Sequence, residues 1–265
     1  MAEETQYLAK TGMVVMTAAN TNLDGTGTLY TVWTAASNGT YIKNVYIKAQ
    51  TNTTEGMVRL FLNDGGNNNY LLMEINVPAI TKSGTNPTFE AVVPLNLSLK
   101  STYVLKASTQ NAETFNVISE GLNWAYYASG VRADTTQYTG QFGRCSISTA
   151  NANLDGTGTL GTAYTAGSFP TYLGSSIRTI TLKSTVTVTS GMIRLFIQDG
   201  SSNKRLITEI PVPNVTKSGI DEAFEYTIEF PNDFDLQSGY SILASTENAE
   251  NFRVTVEGMD FNYKA

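Results

Sequence analysis

Apolar residues in this chain fall in short runs, and their spacing alternates with a period of two. Val45 and Ile47 mark one face of such a run, and Val58, Leu60 and Leu62 mark one face of the next. No segment carries an apolar stripe at helical spacing. The runs are rich in β-branched and aromatic residues and are bounded by Gly, Asn, Asp and Pro, which predicts strands joined by turns. Strands are expected over 14–18, 28–34, 41–49, 57–62, 70–77, 89–93, 103–108, 115–118 and 122–127. A second set is expected over 145–149, 159–165, 177–183, 192–197, 205–212, 224–230, 240–245, 252–256 and 259–263.

The two sets match because the chain is one domain written twice. Leu23-Asp24-Gly25-Thr26-Gly27-Thr28-Leu29 returns letter for letter as Leu154-Asp155-Gly156-Thr157-Gly158-Thr159-Leu160. Gly56-Met57-Val58-Arg59-Leu60-Phe61 returns as Gly191-Met192-Ile193-Arg194-Leu195-Phe196. Thr81-Lys82-Ser83-Gly84 returns as Thr216-Lys217-Ser218-Gly219, and Ala107-Ser108-Thr109-Gln110-Asn111-Ala112-Glu113 as Ala244-Ser245-Thr246-Glu247-Asn248-Ala249-Glu250. The copies also point to the core. Val45 and Ile47 become Ile180 and Leu182, and Val58, Leu60 and Leu62 become Ile193, Leu195 and Ile197. These positions change shape while staying apolar, as buried strand faces can. Lys48 and Lys183 lie between them, on the face expected toward solvent or a partner.

The expected fold is therefore all-β, with two tandem jelly-roll-like antiparallel sandwiches. Residues 1–13 read as an N-terminal arm and 14–127 as the first repeat. Residues 128–146, rich in Gly, Thr, Gln and Asp, read as a linker, and 147–265 as the second repeat.

Composition narrows the chemistry. The 265 residues hold 41% hydrophobic and 15% charged residues, enough apolar content for two cores. A net charge of −6 and the lack of a basic patch argue against nucleic acid and against an anionic membrane surface. No apolar run is long enough to span a bilayer. The acidic Met1-Ala2-Glu3-Glu4 start lacks an apolar core, so a secretion signal is not expected. There is no histidine, which removes the usual general base and most transition-metal sites. The single cysteine, Cys145, allows no intrachain disulfide and reads as a small half-buried residue.

Each repeated motif has a structural reading and a functional one. Asp-Gly-Thr-Gly supplies two positions that tolerate positive φ, as a tight turn requires; a calcium loop built on Asp24 and Asp155 is the sharper alternative. Asp64-Gly65 and Asp199-Gly200 read as hairpin turns. Arg59 and Arg194 lie inside apolar strands on the face that carries Phe61 and Phe196. They are expected either to pair with Glu74 and Glu209 across the sheet or to anchor an interface with those phenylalanines. Asn111, Glu113, Asn248 and Glu250 read as turn residues that satisfy backbone donors, with ligand binding as the alternative. The recurring acids, including Glu120 and Glu257, occur once per repeat. A glycosidase needs two carboxyls in different environments, and duplicated acids have the same environment twice. With no nucleophile elbow, phosphate loop or metal-ligand cluster, an enzyme is not expected, and no cofactor is implied.

Taken together, Asn-Leu-Asp-Gly-Thr-Gly-Thr, Gly-Met-(Val/Ile)-Arg-Leu-Phe, the Asp-Gly loop, Ala-Ser-Thr-x-Asn-Ala-Glu-x-Phe and Glu-Gly resemble the pattern of small β-sandwich virion proteins of tailed bacteriophages. Those proteins look like accessory capsid components of the decoration or head-fibre kind. The resemblance covers nearly all of both repeats. It implies a non-enzymatic virion protein, assembled in a bacterial cytoplasm, whose partners are the major capsid protein or other virion proteins. A homo-oligomer is expected with it; a trimer would present six similar domains. A carbohydrate-binding module for host glycans is the first alternative. Trp33 and Trp124 both fall in the first repeat, which counts against a duplicated sugar site. A double jelly-roll capsid protein is the second alternative.

Overall fold

The computed structural model of the chain describes residues 5–126, 135–168 and 171–264. Every regular element among them is a strand. The first repeat contains β1 (Thr5–Met16), β2 (Tyr30–Thr34), β3 (Thr40–Ala49), β4 (Gly56–Asn63), β5 (Asn69–Val77), β6 (Glu90–Leu99), β7 (Val104–Thr109) and β8 (Phe115–Tyr126). The second contains β9 (Thr135–Ile147), β10 (Gly161–Thr165), β11 (Gly174–Ser184), β12 (Gly191–Gln198), β13 (Lys204–Val212), β14 (Glu225–Gln237), β15 (Ser241–Thr246) and β16 (Phe252–Lys264).

Each repeat forms two four-stranded antiparallel sheets. The first repeat orders them β1-β8-β3-β6 and β2-β7-β4-β5, and the second orders them β9-β16-β11-β14 and β10-β15-β12-β13. These are the same order shifted by eight strands. It is the order of an eight-stranded jelly roll, in which the last strand returns between the first and third. Both expected sandwiches are present.

The inward face of each sheet is the alternating set read from the copies. In the first repeat Ile42, Val45, Ile47, Val58, Leu60, Leu105, Phe115 and Val117 belong to one buried cluster. Each such side chain contributes about 1.5–3 kcal/mol on burial. Phe89 meets Phe115 edge-to-face at 6.3 Å between ring centres, and their counterparts Phe224 and Phe252 meet the same way at 6.1 Å. The two cores keep this contact although the residues around it differ.

Three expectations about boundaries are corrected. Residues 1–13 are not an arm from Thr5 onward, because β1 pairs with β8 from Thr5↔Tyr126 to Met16↔Phe115. The linker assigned to 128–146 is a strand from Thr135, and β9 pairs with β16 along its whole length. Residues 1–4 and 127–134 lie outside the described residues. Both strands are sheet edges, and their misassigned parts, residues 5–13 and 135–145, mix Thr, Gln and Gly with scattered apolar residues, so their composition resembles that of a loop. The break expected near Glu120-Gly121 and Glu257-Gly258 is absent, since β8 and β16 each run straight through.

Glycine explains that continuity. The pairing of β3 skips a residue between Ile42 and Asn44, and that of β11 between Ile177 and Thr179. These are β-bulges. A Cβ on Gly121 would stand 2.1 Å from the Tyr41 carbonyl oxygen, and one on Gly258 would stand 2.6 Å from that of Ser176. The glycines yield room to the neighbouring bulged strand and do not end their own. Gly12 and Gly143 do the same between sheets. Their Cβ atoms would come within 2.2 Å of the Val32 and Ala163 carbonyl oxygens.

Candidate functional site

The repeated polar motifs turn out to be internal latches. In the first, Asn20 Nδ2 donates to the carbonyl oxygens of Thr26 and Thr28, both at 2.9 Å. Asp24 Oδ1 accepts from the Thr26 backbone N–H at 3.0 Å and from its hydroxyl at 2.7 Å. The second repeat reproduces this with Asn151, Asp155 and Thr157. The bonds from Thr26 hold the Asp24 carboxyl below the usual carboxylate range, and those from Thr157 do the same to Asp155. Gly27 and Gly158 adopt φ of 78° and stand where a Cβ would strike the Asn20 or Asn151 side chain. These carboxylates close their own turns. Among the described residues no group of three or more His, Cys, Asp or Glu is placed to hold a metal ion.

The arginines tie those loops to the sheet. Arg59 Nε donates to Glu74 Oε1 at 2.9 Å, Nη1 to the Asn20 carbonyl at 3.2 Å and Nη2 to Gln110 Oε1 at 3.1 Å. Arg194 reaches Glu209 at 3.1 Å, the Asn151 carbonyl at 3.3 Å and Glu247 at 3.1 Å. The expected cross-strand pairs are therefore present. The interface reading of Arg59, Phe61, Arg194 and Phe196 is corrected: all four are buried within their own repeats. Their strand face does point away from the sandwich core, but the recurrent loop folds over it. Phe196 packs there with Leu154, Leu206 and Leu243.

A third latch uses the Asn-Ala-Glu motif. Glu113 Oε1 accepts from the Thr54 backbone N–H at 2.7 Å and its hydroxyl at 2.6 Å, while Asn111 Nδ2 donates to the Glu55 carbonyl at 3.1 Å. Glu250, Thr189, Asn248 and Ser190 repeat the arrangement. The Asp-Gly hairpins are closed likewise. Asp64 accepts from Gly66 N and Asn68 Nδ2, and Asp199 from Ser201 N and Asn203 Nδ2.

One buried node has diverged in chemistry. In the first repeat Trp33 Nε1 donates to Thr40 Oγ1 at 3.1 Å, and Thr40 donates to Asn123. In the second, Tyr164 OH donates to Asp260 Oδ1 at 2.8 Å, and Ser175 donates to the same oxygen. Burial, reinforced by Asp260, raises the Tyr164 phenol above its usual range, so it stays a donor. Trp33 is spent in this core and offers no platform to a sugar.

Two features among the described residues are open to solvent and bear on function. The first is β5, an edge strand of its sheet. Tyr70, Leu71, Leu72 and Met73 are consecutive and all exposed, Tyr70 to 56%. Pairing of Phe61 with Leu71 and of Phe196 with Leu206 aligns this run with Arg205, Leu206, Ile207 and Thr208. The second repeat thus carries a cation and a threonine where the first carries Tyr70 and Met73. Sequence periodicity could not single out β5, because a run apolar on both faces reads the same whether buried or bare.

The second open feature is a cleft of about 580 Å³ on the outer face of the sheet β9-β16-β11, lined by Gly140, Gln141, Phe142, Arg178, Glu257, Gly258 and Met259. Phe142 pairs with Glu257 across β9 and β16, and Glu257 pairs with Thr179 across β16 and β11. Thr179 Oγ1 donates to Glu257 Oε2 at 3.4 Å, and Arg178 approaches Asp233 at 3.7 Å. Of the lining residues Glu257 and Gly258 stood out in the sequence, as the repeat of Glu120 and Gly121. Gly140, Gln141 and Phe142 lay in the presumed linker, Arg178 at a bulge and Met259 in an expected strand.

No protein-family profile matches the chain, and no curated protein matches it. Solved structures give distant likenesses. The exported protein XepA of PBSX is 11% identical with a TM-score of 0.23, the match covering 97% of this chain and 86% of that one. A fucolectin from striped bass (Morone saxatilis) serum is 10% identical with a TM-score of 0.24, covering 98% of this chain and all of the other. A chain of the infectious bursal disease virus Gx strain is 11% identical with a TM-score of 0.20, covering 99% and 82%. Likenesses this distant carry no argument about what the chain does.

Proposed function

We propose that the chain is a non-enzymatic accessory protein of a tailed-phage virion, docking on the capsid surface as a decoration or head-fibre component. The observation that carries this reading is β5. Natural sheets protect their edges with charge, proline or a covering segment, and a bare apolar edge is a template for another chain. The first repeat leaves Tyr70 to Met73 open on such an edge, whereas in the second the aligned Leu206 and Ile207 are buried. The recurrent acids and arginines support the reading from the other side. Asp24, Glu74, Glu113 and Arg59, with Asp155, Glu209, Glu250 and Arg194 of the second repeat, are engaged in closing turns and latches. The motif resemblance supplies the virion context, with the major capsid protein or another virion protein as partner and copies of the chain assembling as a homo-oligomer.

The test is co-sedimentation of the purified chain with assembled capsids of the phage that encodes it. Binding at a fixed copy number per particle is expected. Replacing Leu71 and Leu72 together by lysine, which leaves the sandwich core alone, is expected to abolish it. Particles that take up none of the chain, or that take up the variant equally well, overturn the proposal.

A further inference from the structure

We infer that the cleft on the second repeat binds a neutral oligosaccharide, a role separate from docking through β5. The cleft brings together an exposed aromatic ring, a carboxylate and a guanidinium beside the bare Gly140, with Met259 also in its lining. Phe142 is 64% exposed, on the outward face of β9. Two residues along that face, a Cβ on Gly140 would meet nothing within 4 Å, so the strand leaves an open step beside the ring. Tyr138, two residues further, is 61% exposed. The strand rise puts it about 13 Å from Phe142 at the backbone. Two aromatic faces with a bare glycine between them suit a short chain of rings better than a single one.

The chemistry fits sugars. The C–H face of a pyranose is apolar and lies flat on an aromatic ring. Its hydroxyls are both donors and acceptors, and so pair with groups that are strictly one or the other. Glu257 accepts and Arg178 donates. Sites for small polar ligands combine an apolar wall with a few convergent polar groups in this way. The local charge selects among sugars. Arg178 is answered by Asp233 at 3.7 Å, and Glu257 adds a further negative charge. An acidic sugar would meet net repulsion, and a neutral one would not.

The twin repeat shows that the cleft is not a by-product of the fold. Val93 and Ile228 occupy the same place in β6 and β14, opposite Val45 and Ile180. Between the pairs Asn44↔Pro94 and Ile42↔Leu97 lie two residues of β6. Between Thr179↔Glu229 and Ile177↔Phe234 lie four residues of β14. Both bulges end on a non-glycine residue at positive φ, Asn96 at 48° and Asp233 at 49°, but the longer one sets Asp233 against Arg178. Bulges re-aim side chains next to functional sites. Thr11 and Lys10 of the first repeat occupy the places of Phe142 and Gln141. The ring and the lengthened bulge belong to the second repeat alone.

An array of immobilised oligosaccharides ending in neutral hexoses, deoxyhexoses and N-acetylhexosamines, with acidic sugars as comparison spots, tests this with the full chain. Retention on at least one neutral oligosaccharide is expected. Phe142→Ala and Glu257→Gln are each expected to weaken it at least ten-fold. Should Phe142→Ala lower the melting temperature, Phe142→Leu removes the ring and keeps the bulk. The Leu71, Leu72 double lysine variant is expected to retain the glycan in full, which separates this site from capsid docking. Binding to no neutral spot, binding confined to acidic sugars, or undiminished binding in either cleft variant overturns the inference.

Discussion

Arg194 and Glu209 form an ion pair at 3.1 Å in which both side chains are almost wholly buried, 5% and 3% exposed. The twin pair, Arg59 with Glu74 at 2.9 Å, buries its arginine equally but leaves the glutamate 39% exposed. Removing one member of a buried pair strands the other charge away from water, at a cost of about 3–5 kcal/mol. Arg194→Ala is therefore expected to destabilise the second repeat by about that much. Arg59→Ala should cost less, because water can reach the orphaned Glu74. Urea unfolding of the two variants checks the order, and equal losses contradict it.

Gly12 and Gly143 test how closely the two sheets of each sandwich approach. Alanine at either position would place a Cβ 2.2 Å from a backbone carbonyl oxygen, which neither strand can vacate without shifting. Overpacking of this kind costs about 1–3 kcal/mol and sometimes more. Gly140→Ala, on the same strand as Gly143 but facing open space, is the internal control and should leave the melting temperature unchanged.

Acid should loosen the turns before the cores. Hydrogen bonds from Thr26, Thr157 and Asn68 hold the Asp24, Asp155 and Asp64 carboxyls below their usual value of 3.8. A group whose folded pKa is depressed stabilises the fold above its unfolded pKa. That contribution fades as pH falls through the lower, folded value. The protection of the Thr26 and Thr157 amides relative to their intrinsic exchange should fall below about pH 4 while core amides stay protected. Asp24→Asn should flatten the response at Thr26 only.

Cys145 should be chemically quiet. Burial raises its thiol to about 11, so little thiolate exists near neutrality. A thiol reagent at pH 8 is expected to react slowly with the native chain and at once in denaturant. Rapid modification of the folded protein would contradict the structure.

Much of the fold was legible because the chain supplies its own comparison. Val45 and Ile180, or Leu60 and Leu195, show by substitution which face is buried. The unread parts share a physical cause. Bulges and edges do not alter composition. Gly121 looks like a strand end although it is a strand interior that makes room for Tyr41. Thr135 to Cys145 look like a linker although they are an edge strand. Arg59 and Phe61 were placed on the correct face, but that face is roofed by Asn20 to Leu29, and a long-range covering of this kind leaves no local signal. The cleft was hidden for the same reason, since Phe142, Arg178 and Glu257 meet only through strand pairing.

The enlarged bulge in β14 has a broader consequence. Ile228 and Phe234 keep their partners on either side of it, so extra residues are absorbed there and the ladder is not displaced. Such a position lets a lineage rewrite one surface of a domain while its frame stays fixed.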